Sequence, residues 1–348
     1  ERFSHCLHEL TIASVCLCRC SIMSSLSVLP PECLLQPFPV PQRLMLGPGP
    51  SNVPARIIAA GAQPMLGHLH AETIEIMNQV KSGIQYAFQT RNRVTLAVSG
   101  PGHAAMECAI FNSLEPGESI LIAVNGIWGE RAAEIAERIV AALGGTPICM
   151  DEQGIDIMYT GSQKVLNAPP GTAPISFSER ACQKIFNRRT KPISYFLDMS
   201  WLANYWGCDD KPVRAYHHTG PVSSFYGLRE SLAILAETGL ENSWKRHKEV
   251  AEYFHKGLEE MGLKLFVQEK KARLPTVTTI VAPPGYDWRE ITGYIMKTFN
   301  IEISGGLGPS AGMVLRVGLM GCNSSKANVD KVLEALADAL KHCHKSRV

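Results

Sequence analysis

The strongest constraint on the fold is an alternation, in the first half of the chain, of strand-like runs, glycine turns and helical runs. Residues 93–99 and 119–124 read as buried strands, and residues 103–114 and 130–143 read as the helices that follow them. Residues 72–88 carry apolar side chains spaced by three and four, which indicates a further helix packed on a core. This order predicts βαβ units around a parallel sheet, and therefore an α/β fold.

Composition excludes several classes of protein. The chain has 348 residues, of which 45% are hydrophobic and 19% charged, enough for a large core and two domains. A net charge of +2 lacks the excess of basic residues typical of nucleic-acid-binding proteins, so we expect no nucleic-acid partner. No window reaches the roughly eighteen consecutive apolar residues of a membrane helix, so we expect no membrane span. Eleven scattered cysteines are typical of reduced thiols inside the cell.

The N-terminal region divides into two segments. Residues 1–22 precede the first methionine, Met23, and contain only Arg2 and Arg19 as basic residues. Since mitochondrial leaders are rich in arginine and poor in acid, this is a poor leader, and translated upstream sequence or a gene-model artefact explains it equally well. Residues 23–70 are rich in proline and predict an extended arm, because each proline fixes its own φ and restricts the preceding residue.

Two clusters contain residue types that bind metals. Cys16, Cys18 and Cys20 lie close together, but this spacing lacks the second paired cluster of a zinc finger. His217 and His218 are adjacent, with no third ligand evident in the sequence. We therefore predict no metal site.

A lysine follows the apolar run 155–160, where a buried strand would end. Open α/β sheets bind ligands at the carboxyl ends of their strands, so Lys164 is a candidate functional residue. Gly102 belongs to a glycine turn at the start of a predicted helix, which suits a phosphate, although a simple tight turn is equally consistent with those residues. Trp128, between glycines in a strand-end loop, can stack on a flat ring. A phosphate turn, an aromatic platform and a lysine together suit pyridoxal 5′-phosphate.

Long runs of the sequence then reveal a family resemblance. Six runs of the sequence closely resemble the alanine–glyoxylate aminotransferases. In order along the chain they are LMLGPGPSNVP, NGIWGERA, QGIDIMYTGSQKVLNAPPGT, WLANYWGCDD, YHHT and GGLGPSAGMVLRVGLMGCN. These enzymes, also called serine–pyruvate aminotransferases, are class-V aminotransferases among the fold-type-I pyridoxal-phosphate enzymes. The resemblance begins near Pro30 and continues to the C-terminus. It implies a mostly parallel sheet flanked by helices in a large domain, residues 71–240, and a smaller α+β domain, residues 241–348.

The resemblance also implies the residues that contact the cofactor. Lys164 is the expected Schiff-base lysine, which moves the proton between the substrate Cα and the cofactor. Two of the expected contacts reach the phosphate of the neighbouring subunit's cofactor, so the resemblance implies a homodimer. The cofactor contacts expected besides Lys164 are Gly102, His103, Trp128, Gln163, Tyr216 and Thr219, the last two being those from the neighbouring subunit.

Arg316 lies in the apolar run VLRVG, and the resemblance implies that it binds the substrate carboxylate. An arginine inside an apolar strand needs a planar anionic partner, which a carboxylate provides. From the residues alone, an edge-strand arginine paired with a surface acid is equally consistent. The implied reaction transfers the amino group of L-alanine to glyoxylate, giving pyruvate and glycine, with L-serine and pyruvate as an alternative pair and glyoxylate detoxification as its role.

One departure from the family is large. Trp128 and Lys164 are only 36 positions apart, whereas family members have further strands and crossovers between these motifs. Since one βαβ unit takes about thirty residues or more, we expect roughly sixty residues to be missing, including central strands and the aspartate that pairs with the pyridine nitrogen. Asp151 and Asp156 are poor replacements, because family members carry them as well. The alternative is therefore a catalytically impaired splice isoform or incomplete gene model, acting at most as a dimer partner.

Two further alternatives concern the reaction and the compartment. A cysteine desulfurase of the same fold is disfavoured, because no mobile-loop cysteine replaces the GGLGPS region. The terminal residues 346–348, SRV, resemble the peroxisomal SKL address, with Val348 in place of leucine. We expect a peroxisomal location, with the mitochondrion as the alternative.

Overall fold

A computed structural model describes residues 30–118 and 142–343 of the chain. The chain divides into two compact units, Glu1–Gln42 and Arg43–Val348. Within the first unit, the described residues form one short 3₁₀ turn, Glu32–Leu34, with no buried side chain. Three predictions lie mainly or wholly outside the described residues: the strand 119–124, the helix 130–143 and the cysteine cluster of residues 16–20.

The described part of the second unit contains nine α-helices and eight β-strands. The helices are α1 Ala55–Gly61, α2 Ala71–Phe88, α3 Gly102–Ser113, α4 Glu179–Phe186, α5 Met199–Tyr205, α6 Val222–Thr238, α7 Leu240–Glu260, α8 Trp288–Phe299 and α9 Lys326–His342. The strands are β1 Leu44–Met45, β2 Val94–Ser99, β3 Ile157–Tyr159, β4 Thr172–Phe177, β5 Val277–Val281, β6 Ile301–Glu302, β7 Ser304–Gly305 and β8 Val314–Gly318.

Local capping determines where several helices begin. The side chain of an N-cap serine or aspartate accepts a hydrogen bond from a backbone N–H of the first turn, which otherwise has no intrahelical partner. These N-cap residues are Ser178 for α4, Asp198 for α5, Asp287 for α8 and Ser325 for α9.

The first three-stranded sheet has the order β2–β4–β3. Strand β4 is antiparallel to both neighbours, so β2 and β3 run in the same direction on either side of it. Ser99 pairs with Thr172 and Tyr159 with Ile175, so the carboxyl ends of β2 and β3 lie together at the amino end of β4. The sequence did not predict β4.

Strands β2 and β4 are buried along almost their whole length, which is typical of a sheet covered on both faces. Helix α2 packs into this core, and its predicted apolar stripe is confirmed by the burial of four side chains, Met77, Val80, Ile84 and Phe88. Strand β3, which leads into the Lys164 loop, is therefore paired through β4 with a well-packed layer.

The second three-stranded sheet has the order β5–β8–β7, with β8 antiparallel to both neighbours. In β8, Arg316 pairs with Thr279 on one side and with Ser304 on the other. This sheet packs with α7, α8 and α9 into a second hydrophobic core, which includes Phe254 and Leu336. Among the described helices, none has the length and apolar character needed to cross a membrane.

Candidate active site

The loop after β3 is held against the edge of the first sheet. Gly161 and Ser162 are buried, and the Ser162 N–H donates to the carbonyl of Thr172 at 3.2 Å. The Ser162 hydroxyl donates to the carbonyl of Pro169 at 2.7 Å. These bonds close the loop on itself, so that Gln163 and Lys164 occupy fixed positions beside the strand ends.

Lys164 lies over a glycine of the proline-rich segment. Its Nζ donates a hydrogen bond to the carbonyl of Pro48 at 2.6 Å. Gly49 has φ of 109°, and a Cβ placed on it would lie 2.7 Å from the lysine Cδ and 2.8 Å from Nζ. Only glycine accepts both that backbone conformation and the lysine chain above it.

Helix α3 begins next to the lysine loop. A Cβ on Gly102 would lie 3.8 Å from the backbone nitrogen of Gly161, so the two glycines bring the helix start and the loop together. Pro101 is the N-cap residue and provides no side-chain cap, while His103 in the first turn is exposed. The N–H groups of the first helical turn therefore lie beside the Lys164 loop, which suits an anionic group of a ligand.

Gln163 contributes a further polar atom. Its Oε1 is buried and has no hydrogen-bond partner among the described residues. Because an unsatisfied buried acceptor costs about 1–3 kcal/mol, a donor group of a ligand at this position would stabilise the site. A phosphate at α3, an aldehyde at Lys164 and a donor at Gln163 match the functional groups of pyridoxal phosphate.

The segment Tyr216–Thr219 connects to the end of β2. His218 Nε2 and the Ser99 hydroxyl are 2.7 Å apart, and the Tyr216 hydroxyl and the Thr219 hydroxyl are 3.4 Å apart. The Nδ1 atoms of His217 and His218 are 2.7 Å apart, and burial lowers the pKa of His218 to about 4. Both rings therefore have partners within the protein, and no group of three metal-ligand side chains occurs in the part of the chain that the structure describes.

Arg316 is oriented by a backbone contact. Its Nε donates to the carbonyl of Gly305 at 2.7 Å, and the side chain is half-buried. Two residues further along β8, the Gly318 N–H donates to the carbonyl of Leu46 at 2.7 Å. The segment that contacts Lys164 through Pro48 is thus hydrogen-bonded to the strand that carries Arg316.

The two aspartates near β3 lie at the opposite end of the strand from Lys164. Asp156, just before β3, accepts from the Ser178 hydroxyl at 2.6 Å and from Arg180, whose guanidinium lowers the pKa of this carboxyl. Asp151 accepts from the Arg91 N–H at 2.8 Å. Both carboxylates are engaged away from the lysine, which agrees with the expectation that neither replaces the missing aspartate.

Sequence reasoning missed part of the site and could not place another part. Trp128 lies outside the described residues, so its expected stacking stays a prediction. The sequence places Ser51 only in an extended arm, yet its hydroxyl donates to the carbonyl of Lys164 at 2.7 Å. The glycine–proline run from Gly47 to Pro50 was the available signal, since glycine there permits close approach of another side chain.

Known proteins similar to the chain agree on one family. The sequence model of the family described as aminotransferase class-V matches residues 139–332. An alanine–glyoxylate aminotransferase of Felis catus is 50% identical, with 93% of this chain and 94% of the relative aligned. The alanine–glyoxylate aminotransferase of Drosophila melanogaster is 38% identical, with 91% of this chain and 97% of the relative aligned.

Solved structures give the same result. The alanine–glyoxylate aminotransferase from Nostoc sp. superposes with a TM-score of 0.83 at 37% identity, covering 88% of this chain and 97% of that one. A ureidoglycine–glyoxylate aminotransferase from Bacillus subtilis superposes with a TM-score of 0.82 at 27% identity, covering 90% of this chain and 96% of that one.

The alignment length also bears on the expected gap. The alignment to the Felis catus relative extends over 388 positions, whereas this chain has 348 residues. At least 40 of those positions, the difference between the two lengths, therefore stand opposite gaps in this chain. That agrees with a chain shorter than its relatives by an internal stretch.

Proposed function

Because the chain belongs to the class-V aminotransferase family, a family of fold-type-I pyridoxal-phosphate enzymes, we propose that it transfers the amino group of L-alanine or L-serine to glyoxylate or pyruvate. The products are glycine and pyruvate for the first pair, and the role is glyoxylate detoxification. The observation that carries the proposal is Lys164, held at the carboxyl ends of β2 and β3 beside the start of α3.

The residues present fit both reactive ends of pyridoxal phosphate. Lys164 would hold the aldehyde carbon, and the first turn of α3, with Gly102 and His103, would hold the phosphate. Gln163 Oε1 would accept a hydrogen bond from a donor group of the cofactor. When bound, the cofactor supplies an electron-withdrawing ring that stabilises negative charge on the substrate Cα.

The protein's own groups account for proton transfer and substrate orientation. The Lys164 amine, which rests on the Pro48 carbonyl when it is not bonded to the cofactor, would take the proton from the substrate Cα as general base. The Nε–H bond to Gly305 fixes the plane of the Arg316 guanidinium, and a planar fork suits a carboxylate. Because both substrates carry a carboxylate, one arginine serves both half-reactions.

The alternative of an inactive dimer partner has less support. Relatives named as aminotransferases align with 93% of the chain, including the segment that contains Lys164 and Arg316. The internal gap nevertheless predicts a cost, because a carboxylate beside the ring nitrogen improves the electron sink. Asp151 and Asp156 do not lie at the lysine's end of β3, so a lower rate than that of the longer relatives is expected.

A homodimer is the proposed assembly, with Tyr216 and Thr219 reaching the cofactor of the second copy. Support comes from exposed aromatic side chains around His217, the residue after Tyr216, which we call the aromatic patch. Tyr195 stacks on His217 with ring centroids 5.1 Å apart, and Trp201 lies 5.8 Å from Tyr195. A monomer rarely exposes such a cluster without a partner. Its members are Tyr195, Phe196 and Trp201.

The domain boundaries and the compartment stay predictions. A large domain of residues 71–240 and a small domain of residues 241–348 remain the proposed organisation. The peroxisomal location, with the mitochondrion as the alternative, depends on residues 346–348, which lie outside the described residues.

Cofactor attachment tests the proposed function. The purified 348-residue chain is titrated with pyridoxal phosphate, reduced with borohydride and digested, and the peptides are weighed by mass spectrometry. We expect the cofactor to be fixed on Lys164, and L-alanine with glyoxylate to yield pyruvate and glycine. Lys164→Ala should abolish both results, whereas Lys245→Ala, at a lysine whose side chain is 74% exposed, should change neither. Cofactor fixed equally on many lysines, with no turnover, would refute the proposal.

A further inference from the structure

A buried asparagine lies between the lysine loop and the turn after β8. Asn167 is only 5% exposed and has φ of 55°, in the left-handed region that asparagine tolerates better than most residues. The N–H of Cys322 donates to its Oδ1 at 2.7 Å, and its Nδ2 donates to the Ser51 hydroxyl at 2.7 Å. We propose that Asn167 is a positioning residue that sets the place of Lys164 relative to the strand carrying Arg316.

The direction of each hydrogen bond follows from the chemistry of the groups. The Cys322 N–H can only donate, so the atom of Asn167 facing it is the carbonyl oxygen, and the amide nitrogen faces Ser51. Ser51 has one hydroxyl proton and accepts from Asn167, so this proton points to the carbonyls of Lys164 at 2.7 Å and Gln163 at 3.1 Å. We call this series Cys322–Asn167–Ser51–Lys164 the Asn167 bridge.

The bridge has a rigid support on the Cys322 side. The Gly321 N–H donates to Nε2 of the buried His247 at 3.0 Å. Asn323 donates to the carbonyl of Met45 at 2.7 Å, which ties the same turn to the segment before Ser51. Gly321 has φ of 56°, and a Cβ there would collide with Asn167 Oδ1. Glycine at this position therefore allows the turn to lie against the asparagine.

The bridge spans the two groups that the proposed reaction requires. Arg316 lies six residues before Cys322, on β8, and Lys164 lies three residues before Asn167. A general base must be within hydrogen-bond reach of the proton that it removes, and small displacements lower the rate strongly. The consequence for catalysis rests on the proposed aminotransferase function, whereas the effect on Lys164 does not.

Two substitutions break the Asn167 bridge in different ways, so that its effect on Lys164 can be distinguished from a general loss of folding. Asn167→Asp keeps the shape, the acceptor for Cys322 and tolerance of positive φ, but it cannot donate to Ser51 or, more weakly, to the Met320 carbonyl at 3.4 Å. The proton of Ser51 then turns to the new carboxylate. Ser51→Ala removes the donor to Lys164 directly. Since both changes break the same link, their effects on Lys164 should not add in the double variant. Asn242→Asp is the matched control, because Asn242 is an exposed asparagine whose side chain donates to the carbonyl of Thr238, away from the bridge.

The measurement uses cofactor-free protein. Lysines are acetylated with limiting acetic anhydride, and the labelling of Lys164 is measured by mass spectrometry relative to the exposed Lys245. We expect Asn167→Asp and Ser51→Ala each to raise relative labelling of Lys164 about fivefold, the factor for one lost hydrogen bond that kept Nζ on the Pro48 carbonyl. The double variant should match the single ones, and Asn242→Asp should match the wild type.

Turnover provides the second readout. With cofactor, L-alanine and glyoxylate, Asn167→Asp should lower kcat about tenfold and leave KM within about twofold. It should also raise the isotope effect of alanine deuterated at Cα, since proton transfer is the affected step. Unchanged Lys164 labelling in both single variants would overturn the inference, even if activity fell. If the wild type binds no cofactor, the proposed function fails while the labelling experiment still tests the bridge.

Discussion

Replacing Gly49 by alanine should disturb Lys164 more than any comparable change at a glycine. A Cβ at residue 49 would lie 2.7 Å from the lysine Cδ and 2.8 Å from Nζ, well inside normal contact distance. The lysine chain is flexible, so it moves rather than the backbone, and Nζ leaves the Pro48 carbonyl. The mutation therefore acts on the catalytic amine from a position 115 residues away in sequence.

The size of the effect has two parts. An alanine in the left-handed region costs about 1–2 kcal/mol of backbone strain. Loss of the Nζ–H···O bond adds about 1 kcal/mol, which corresponds to a roughly fivefold change in how often Nζ occupies its present position. We therefore expect Gly49→Ala to lower the free energy of unfolding by about 2–3 kcal/mol.

Gly117→Ala separates the two parts. Gly117 has φ of 89°, and a Cβ placed there meets no atom within 4 Å, so this change introduces strain alone. Urea unfolding followed by circular dichroism gives the stability loss of each variant, and acetylation in cofactor-free protein gives the reactivity of Lys164. We expect both variants to be destabilised, and only Gly49→Ala to raise the labelling of Lys164.

The refuting result is specific. If Gly49→Ala and Gly117→Ala lose similar stability and neither changes the labelling of Lys164, then the lysine does not lie over Gly49. The role given to the Pro48 carbonyl would then be wrong as well.

Three further predictions concern substrate binding, pH dependence and assembly. Arg316→Lys removes the planar guanidinium and should raise KM for both the amino acid and the oxo acid about tenfold or more in steady-state kinetics. Arg289→Lys, at an exposed arginine, should leave both KM values unchanged. An effect on only one substrate would contradict a shared carboxylate site. Burial lowers the pKa of His247 to about 4, so the unfolded chain binds more protons between pH 4 and 6.5, and stability should fall by up to ~3 kcal/mol as pH drops through that window. Urea unfolding of His247→Gln at a series of pH values should show no such loss of unfolding free energy between pH 4 and 6.5. If the free energy of unfolding depends on pH as it does in the wild type, His247 does not titrate in that range. Trp201→Glu in the aromatic patch should give monomers in analytical ultracentrifugation, and Phe266→Glu, at an exposed aromatic outside the patch, should not; an unchanged dimer would exclude the patch as the interface.

The lowered pKa of His247 also follows from its hydrogen bonds. Its Nδ1 faces the carbonyl of Ser243 at 2.7 Å and must donate, so its Nε2 accepts from the Gly321 N–H at 3.0 Å. A proton added to Nε2 would meet that N–H and break the bond. Protonation is therefore opposed in the folded protein by local geometry as well as by burial.

Periodic segments were predictable from the sequence. The stripe of α2, the strand β2 and the helix α3 lie within one or two residues of their predicted bounds, because each is determined by local periodicity and flanking glycines. The strand carrying Arg316 was identified for the same reason. The α/β class followed from the alternation of strands and helices, and pyridoxal phosphate from Gly102, Trp128 and Lys164. The family resemblance then specified the fold type, and the comparisons confirm the family.

Long-range features were not predictable in this way. Strand β4 contains Pro174 and follows a glycine–proline loop, so its local sequence argues against a strand, yet pairing with β2 and β3 stabilises it. The hydrogen bond from Ser51 to Lys164 joins residues 113 positions apart, and that from Cys322 to Asn167 joins residues 155 apart. No periodicity encodes such contacts, which arise only when distant segments pack together.

The antiparallel strand explains why these distant segments meet at Lys164. Because β4 runs opposite to β2 and β3, its amino end lies between their carboxyl ends, and the Gly100 N–H donates to the carbonyl of Gly171 at 2.9 Å. The glycine turn before α3 and the lysine loop are thereby fixed from one side. The other side is held by the bond of Lys164 to the Pro48 carbonyl and by Ser51 and Asn167, of which Asn167 accepts from the turn after β8. Disruption of the second hydrophobic core should therefore loosen Lys164 even where the first core is intact.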